Sequence, residues 1–371
     1  MIKIEKITLY HVSMRLKKPF KTSIETLQDR KFLIVEAIDE TGRTGWGEVS
    51  AFSSPWYTEE TIQTCAHMLR DFFIPNVVGR EFFHPSEVPD SLARFKGNRM
   101  AKAGLESAVW DLYAKKKGIS LAEALGGKRD KVPAGVAVGL ASADEMLREI
   151  EQYVKEGYQR IKIKIQPGHD VDLVRAIRSR FPNVPLMADA NSAYEMKDIS
   201  RLKELDEFQL MMIEQPLQAD DIVDHRHLQK HLRTAVCLDE SICSYDDARR
   251  AIELGSCKII NIKPARVGGL TEALKIHDLC REHHMPVWCG GMFETGISRA
   301  QTVALASLPQ FTIPGDISSS DRYWEEDIVT PDIRIEEGFI SVPDGPGLGV
   351  EVNQEIMRKY VTQMDVFTTN N

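Results

Sequence analysis

Five ionisable residues recur in phase along the middle of the chain: Lys164, Asp189, Glu214, Asp239 and Lys263, separated by 25, 25, 25 and 24 residues. Each closes a short apolar run, in the stretches RIKIK, LMAD, LMMIE, AVCLD and KIINIK. Such runs begin near Val132, Arg160, Leu186, Leu210, Ala235, Lys258, Met285 and Phe311, at intervals of 23 to 28 residues. Helix-periodic segments such as Asp170–Arg180 and Thr271–His283 lie between them. Parallel strands need a crossover of about a dozen residues or more, which a helix supplies. Eight strand–helix units in series predict a (β/α)8-type α/β barrel of the TIM kind. An open doubly wound sheet would have fewer strands and a Gly-rich first turn, and no GxGxxG occurs here.

The flanks read differently. Residues 1–53 alternate like antiparallel strands, with Phe32–Ile38 and Gly45–Val49 joined by the turn Asp39-Glu40-Thr41-Gly42. From Thr58 to about Leu125 the pattern is helical, most clearly over Met100–Tyr113. Gly126-Gly127 ends it. We therefore expect an N-terminal α+β capping domain over 1–127, the barrel over 128–325, and a C-terminal segment over 326–371, with Phe339-Ile340-Ser341-Val342, that returns to the cap. With 47 Lys and Arg against 55 Asp and Glu, the net charge of -8 argues against a nucleic-acid or anionic-membrane partner. No apolar run approaches a membrane span, and the N-terminus does not read as a signal peptide. Six scattered cysteines without paired CxxC spacing suit free thiols in a reducing compartment, so the expected location is cytoplasmic. The ten histidines form no HExxH.

In such a barrel, function sits at the C-terminal strand ends, so the five in-phase residues should share one mouth. A like-charged pair a few ångströms apart repels by about 4 kcal/mol at an effective dielectric near 20, so Asp189, Glu214 and Asp239 need a counter-charge. All-oxygen ligands favour a hard cation, Mg2+ above Mn2+. Glu240 follows Asp239 and can orient it, and Asn191 lies two residues past Asp189, within reach of a substrate or a ligand. In Ile161-Lys162-Ile163-Lys164-Ile165 both lysines fall on one face, which in a barrel is the interior. Neighbouring cations and apolar walls should lower a lysine pKa toward that of a working base. Lys164 is the expected base, Lys162 its companion and a binder of substrate carboxylate. Lys263 faces them from the sixth strand. A cation between two lysines suits removal of a proton α to a carboxylate.

By these motifs the sequence resembles the enolase superfamily in its muconate-lactonising-enzyme subgroup, over essentially the whole chain. The resemblance implies a cap and a (β/α)7β barrel. It also implies the K-x-K base at Lys164 with Lys162, an opposing Lys263, and Mg2+ ligands at Asp189 (Ala188–Asn191), Glu214 (Ile213–Pro216) and Asp239 (Leu238–Ser241). Within the subgroup, Lys263–Gly269, Gly290–Gly296 and Pro314–Ser318 resemble the branch of o-succinylbenzoate synthases and N-succinylamino-acid racemases. Mandelate-racemase-type members have a histidine where this chain has Cys289-Gly290-Gly291. Dipeptide epimerases carry D-x-D where it has Asp316-Ile317-Ser318.

The resemblance implies dehydration of 2-succinyl-6-hydroxy-2,4-cyclohexadiene-1-carboxylate toward menaquinone, N-acylamino acid racemisation, or both. It also implies a small carboxylate substrate with a succinyl or N-acyl tail, and a homo-oligomer. Specificity should come from Pro19–Ser23, including Phe20, and Ser50–Ser53 of the cap, with Gly291, Met292 and Ser318 lining the tail pocket. An arginine at Arg266 is expected to influence Lys263. A dedicated racemase or a muconate cycloisomerase are the nearer alternatives. A Schiff-base lyase leaves the three carboxylates unexplained. A non-catalytic binding protein would not need all five strand-end residues.

Overall fold

The computed structural model describes residues 1–21 and 26–369, with the side chains of Phe20 and Lys21 left out. Three antiparallel strands open the chain: β1 (Ile2–Lys21), β2 (Thr26–Asp39) and β3 (Thr44–Val49). Asp39 sets the β2–β3 turn, its Oδ1 accepting from the backbone N–H of Thr41 at 2.9 Å and of Arg43 at 3.0 Å. The pairing runs from Ile38 opposite Thr44 to Leu33 opposite Val49. Against this sheet lies α1 (Arg99–Lys117), whose apolar positions are buried and which stops at Gly118, φ +69°.

Gly45 and Gly47 bring β3 onto α1 at backbone distance. A Cβ on Gly47 would sit 2.0 Å from the carbonyl oxygen of Gly104, and one on Gly45 2.2 Å from that of Ala108. No side chain fits between these two backbones. The close approach fixes where β3 ends, and with it the loop that carries Phe52 and Tyr57 toward the barrel.

Seven parallel strands follow in sequence order: β4 (Gly135–Val138), β5 (Arg160–Lys164), β6 (Leu186–Asp189), β7 (Ile213–Glu214), β8 (Val236–Leu238), β9 (Ile259–Ile262) and β10 (Val287–Cys289). The eighth segment closes the circle through single bridges, Phe311 beside Val287 and Gly315 beside Ala134. The isoleucine face of β5 is buried as the alternation required.

The apolar run at Val132 divides. Lys131–Pro133 pairs antiparallel with Phe339–Ser341, which the sequence had directed to the cap, and the barrel strand starts at Gly135. The reason is packing: Ile340 lies opposite Val132 and both are buried, whereas Phe339 and Ser341 face out. The return to the cap is made by β11 (Val361–Thr368), which pairs antiparallel with β1 from Lys6–Thr368 to Val12–Val361.

Cap carboxylates seat on barrel helices at their N-termini, where free N–H groups favour an anion. Glu106 of α1 accepts from Leu270 N (2.7 Å) and Thr271 N (2.9 Å), the first residues of the helix Leu270–Glu282. Glu48 of β3 accepts from Thr295 N and Ser298 N, both at 3.2 Å, at the start of the helix Gly296–Ala306. All six cysteines are free. Among the described residues no helix is long and apolar enough to cross a membrane.

Gly47→Ala should cost about 2–3 kcal/mol or more, because the atom it meets is backbone and cannot swing aside. The denaturation midpoint reads this directly. A midpoint within error of wild type would show that β3 can back away from α1.

Candidate active site

Parallel register places the strand-end groups side by side. Lys164 of β5 is the Cα partner of Asp189, and Asp189 of Glu214. Asp239 lies one residue past β8 and Lys263 one past β9. All five in-phase residues therefore meet at one mouth, and Lys162, Lys164, Asp189 and Lys263 line a single cavity.

Charges there alternate. Lys164 Nζ is 2.7 Å from Asp189 Oδ2 and donates also to Asn191 Oδ1. Lys162 Nζ reaches Asp189 Oδ2 at 3.2 Å, Glu214 Oε2 at 3.1 Å, and Asp316. Lys263 Nζ is 2.9 Å from Asp239 Oδ2 and 3.0 Å from the Tyr57 hydroxyl. Asp239 Oδ1 is held by Arg266, whose guanidinium also donates to Tyr57 OH at 3.0 Å and to the Ile242 carbonyl at 2.8 Å. Asp189, Glu214 and Asp239 are all fully buried.

For Lys162 and Lys263 the expectation of a lowered pKa needs correction. Burial alone would lower Lys162, but Asp316, Glu214 and Asp189 together raise it well above the ordinary lysine value. Lys263 is likewise raised, with burial outweighed by Asp239 and Tyr57. The sequence reading weighted cations and apolar walls, whereas carboxylates are the nearest neighbours. Asp189 is pushed down: burial opposes ionisation, but Lys164 and Lys162 prevail. Glu214 goes the other way, up to about 8, through burial and the negative charge of Asp189, since its one lysine is shared among three carboxylates. Glu240 is raised to about 7 by burial, Asp239 and Asp189.

The remaining candidates divide. Asn191 donates to Glu240 Oε1 at 2.9 Å and stands at φ +41°, a left-handed position held by its N–H to Asp189 Oδ1 at 3.1 Å. Gly291, Met292 and Ser318 line the cavity with Phe52 of the cap. At Gly291 a Cβ would meet the Asp316 carbonyl oxygen at 2.1 Å, so closure of the barrel demands glycine there. Arg266 is buried and contacts Asp239 and Tyr57; its link to Lys263 runs through those two groups. The side chain of Phe20, and Thr22 and Ser23 entirely, lie outside what the structure describes.

Several site residues escaped the sequence reading. Asn261 donates to Glu214 Oε1 at 2.8 Å and Asp239 Oδ1 at 3.1 Å; its place two before Lys263 on β9, on the same face, was the available signal. Gln215, at φ +38°, accepts from Asp239 N at 3.0 Å and Ser241 N at 3.2 Å, fixing the next strand end. Asp316 holds Lys162 and Arg160. Tyr57 reaches Asp239 across 182 residues of chain, and nothing local announces it.

The donor set suits a hard divalent cation by chemistry: three buried all-oxygen groups on adjacent strands, with Glu214 short of positive charge. As they stand, no three His, Cys, Asp or Glu side chains among the described residues close on a metal position. The ion pairs account for this, since each carboxylate is turned to an ammonium or guanidinium group. Buried Asn261 Oδ1 and Glu240 Oε2 have no hydrogen-bond partner, leaving unused acceptor capacity at the same place.

A barrel mouth with two lysines over buried carboxylates, under an α+β cap, defines a class of acid–base enzyme, and sequence comparison agrees. Residues 4–126 match the family described as "Mandelate racemase / muconate lactonizing enzyme, N-terminal domain", and 145–356 match "Enolase C-terminal domain-like". The chain belongs to this mandelate racemase/muconate lactonizing enzyme family of the enolase superfamily. It is 86% identical to an o-succinylbenzoate synthase of Bacillus subtilis (strain 168), over 99% of both chains. It is 46% identical to an N-succinylamino acid racemase of Amycolatopsis sp, over 97% of this chain and 98% of that one. The solved structure of an enolase-superfamily member from Listeria innocua superposes with a TM-score of 0.97 at 43% identity, covering 99% of this chain and all of that one.

In metal-free protein, Glu214 prefers its protonated form, so its contribution to stability is complete below the ordinary carboxylate range and is lost as pH rises through about 8. Glu214→Gln should therefore track wild type near pH ~5 and gain on it steadily at higher pH. Denaturation midpoints of both metal-free proteins at the two ends check this. A pH-independent offset would show Glu214 ionised throughout.

Proposed function

We propose that this chain is a Mg2+-dependent o-succinylbenzoate synthase whose site also racemises N-succinylamino acids. The observation that carries the reading is that Lys164 of β5 and Lys263 past β9 line one cavity above the buried carboxylates Asp189, Glu214 and Asp239. The synthase and racemase relatives support it at full length. Asp189, Glu214 and Asp239 would hold Mg2+, with Mn2+ as a substitute, and Glu240 and Asn191 would orient them. When bound, the cation supplies positive charge to the substrate carboxylate as negative charge develops on it.

The chain's own groups then do the following. Lys164 removes the proton α to the carboxylate. In dehydration the same Nζ returns that proton to the departing hydroxyl, so that one water leaves and the ring becomes aromatic. Lys263 remains an ammonium opposite the developing charge. In racemisation one lysine takes the α-proton and the other delivers a proton to the opposite face, so both must titrate. Lys162 would keep a positive charge beside the carboxylate end. Gly291, Met292, Ser318 and the Phe20 segment would bound the tail.

Two outcomes test this. Activity should vanish in EDTA and return with Mg2+ or Mn2+. Mg2+ binding near neutral pH should release protons, because a ligating Glu214 must ionise. Titration calorimetry in buffers of different ionisation heat measures the release, and zero release, with the midpoint comparison above showing Glu214 protonated in metal-free protein, would remove Glu214 from the ligand set. Full turnover without metal would sink the reading.

Lys263→Arg keeps the charge but holds its proton, with a pKa above about 12. It should retain measurable dehydration of the cyclohexadiene acid while losing racemisation of N-succinyl-phenylalanine by a much larger factor. Racemisation at the wild-type rate would refute the two-base assignment.

A further inference from the structure

The cavity beside the lysines is small, about 90 Å³, enough for a reacting carboxylate end but not for a whole substrate. Arg322 and Tyr323 line it, and the same two residues line a neighbouring cleft of about 900 Å³. Arg322 is thus the wall between the reacting end and the open space beyond.

Its partners there are neutral. One guanidinium nitrogen donates to Ser318 Oγ at 2.9 Å and Tyr323 OH at 3.3 Å, and the other to the Ala137 carbonyl at 2.6 Å. The rings of Tyr153 and Tyr323 lie 5.1 and 5.3 Å from the guanidinium carbon. Among the described residues no carboxylate stands within ion-pair distance of it. Glu149, which acts on it electrostatically, is engaged by Tyr153 OH at 2.6 Å. The site's buried cations, Lys162, Lys263 and Arg266, each touch a carboxylate, unlike the half-buried Arg322. A guanidinium packed against two aromatic rings, with only neutral partners and lining two cavities, retains capacity for a bidentate anion.

We propose that Arg322 is the anchor for a second, distal carboxylate on the substrate, the terminal group of a succinyl tail. This rests on the functional reading above, in which dehydration and racemisation substrates share such a tail. The reacting carboxylate sits at the lysines, and the tail passes Ser318 to end at the guanidinium. The cap borders the same place, since Lys17 N donates to the Tyr323 carbonyl at 2.9 Å, so the β1 end and the anchor are coupled.

The experiment uses full-length enzyme with Mg2+ and two substrates, N-succinyl-phenylalanine and its tail amide, which has the same shape without the charge. Wild type should favour the acid in kcat/KM by about 30-fold or more, the worth of a charge-assisted pair. In Arg322→Met that ratio should collapse toward one, and Arg322→Lys should fall between. A purely structural arginine would lower both substrates together and leave the ratio standing, which overturns the proposal. Wild type treating acid and amide alike overturns it even if no Arg322 variant folds. Turnover of neither the cyclohexadiene acid nor N-succinyl-phenylalanine by wild type overturns the functional reading and the anchor with it. Turnover without discrimination overturns the anchor alone.

Discussion

Charge compensation in a nearly dry barrel mouth organises the site. Burying an ion costs several kcal/mol unless a partner is placed well, and removing one partner leaves the other stranded. Here the compensation crosses strands: β5 supplies cations, β6 and β7 carboxylates, and the ends of β8 and β9 a carboxylate and a lysine. Because parallel pairing sets Lys164, Asp189 and Glu214 level, a register slip of the middle strand β6 would move Asp189 away from both neighbours. Compensation is least complete at Glu214. That is where additional positive charge is most favourable.

The cap depends on hydrogen bonds placed at helix ends. Glu106 and Glu48 are buried, and their partners are unpaired N–H groups at the starts of two barrel helices. These contacts are directional, unlike the apolar surface around them, so they fix the orientation of the cap over the mouth. The fixed cap in turn delivers Tyr57 to Asp239 and Lys263. The glycine contact of β3 on α1 serves the same end from inside the cap.

What could be read from sequence follows from how each contact is encoded. The five in-phase residues were legible because one structural unit recurs every 25 residues or so and places equivalent positions at equivalent heights. The barrel was legible for the same reason. Its eighth strand was less so, since Phe311 and Gly315 make only single bridges. Tyr57 and Arg322 were not, because Tyr57 contacts the mouth from a loop and Arg322 from the single 3-10 turn Ser320–Arg322, and neither stretch has a period. The pKa directions of Lys162 and Lys263 were misjudged because carboxylate proximity depends on side-chain direction, which spacing alone leaves open. Asn261 was within reach of the alternation rule, as it shares a strand face with Lys263.

The ion pairs also show how a lysine can give up its proton without stranding a carboxylate. Asp189 touches two cations, Lys164 and Lys162. Asp239 likewise touches two, Lys263 and Arg266. In each pair one member is a lysine proposed to move a proton, and the other has further partners: Lys162 has Glu214 and Asp316, Arg266 has Tyr57 and the Ile242 carbonyl. When Lys164 or Lys263 becomes neutral, its carboxylate keeps one charge-assisted partner, so the cost of an unpaired buried charge is avoided. The arrangement is asymmetric in chemistry. Lys162 can itself titrate and is held charged by three carboxylates, whereas Arg266 stays charged at any working pH. For a reaction that needs both lysines to change protonation state, the permanent cation stands on the Lys263 side. Arg266 and Lys263 do not touch but share two partners, Asp239 and the hydroxyl of Tyr57.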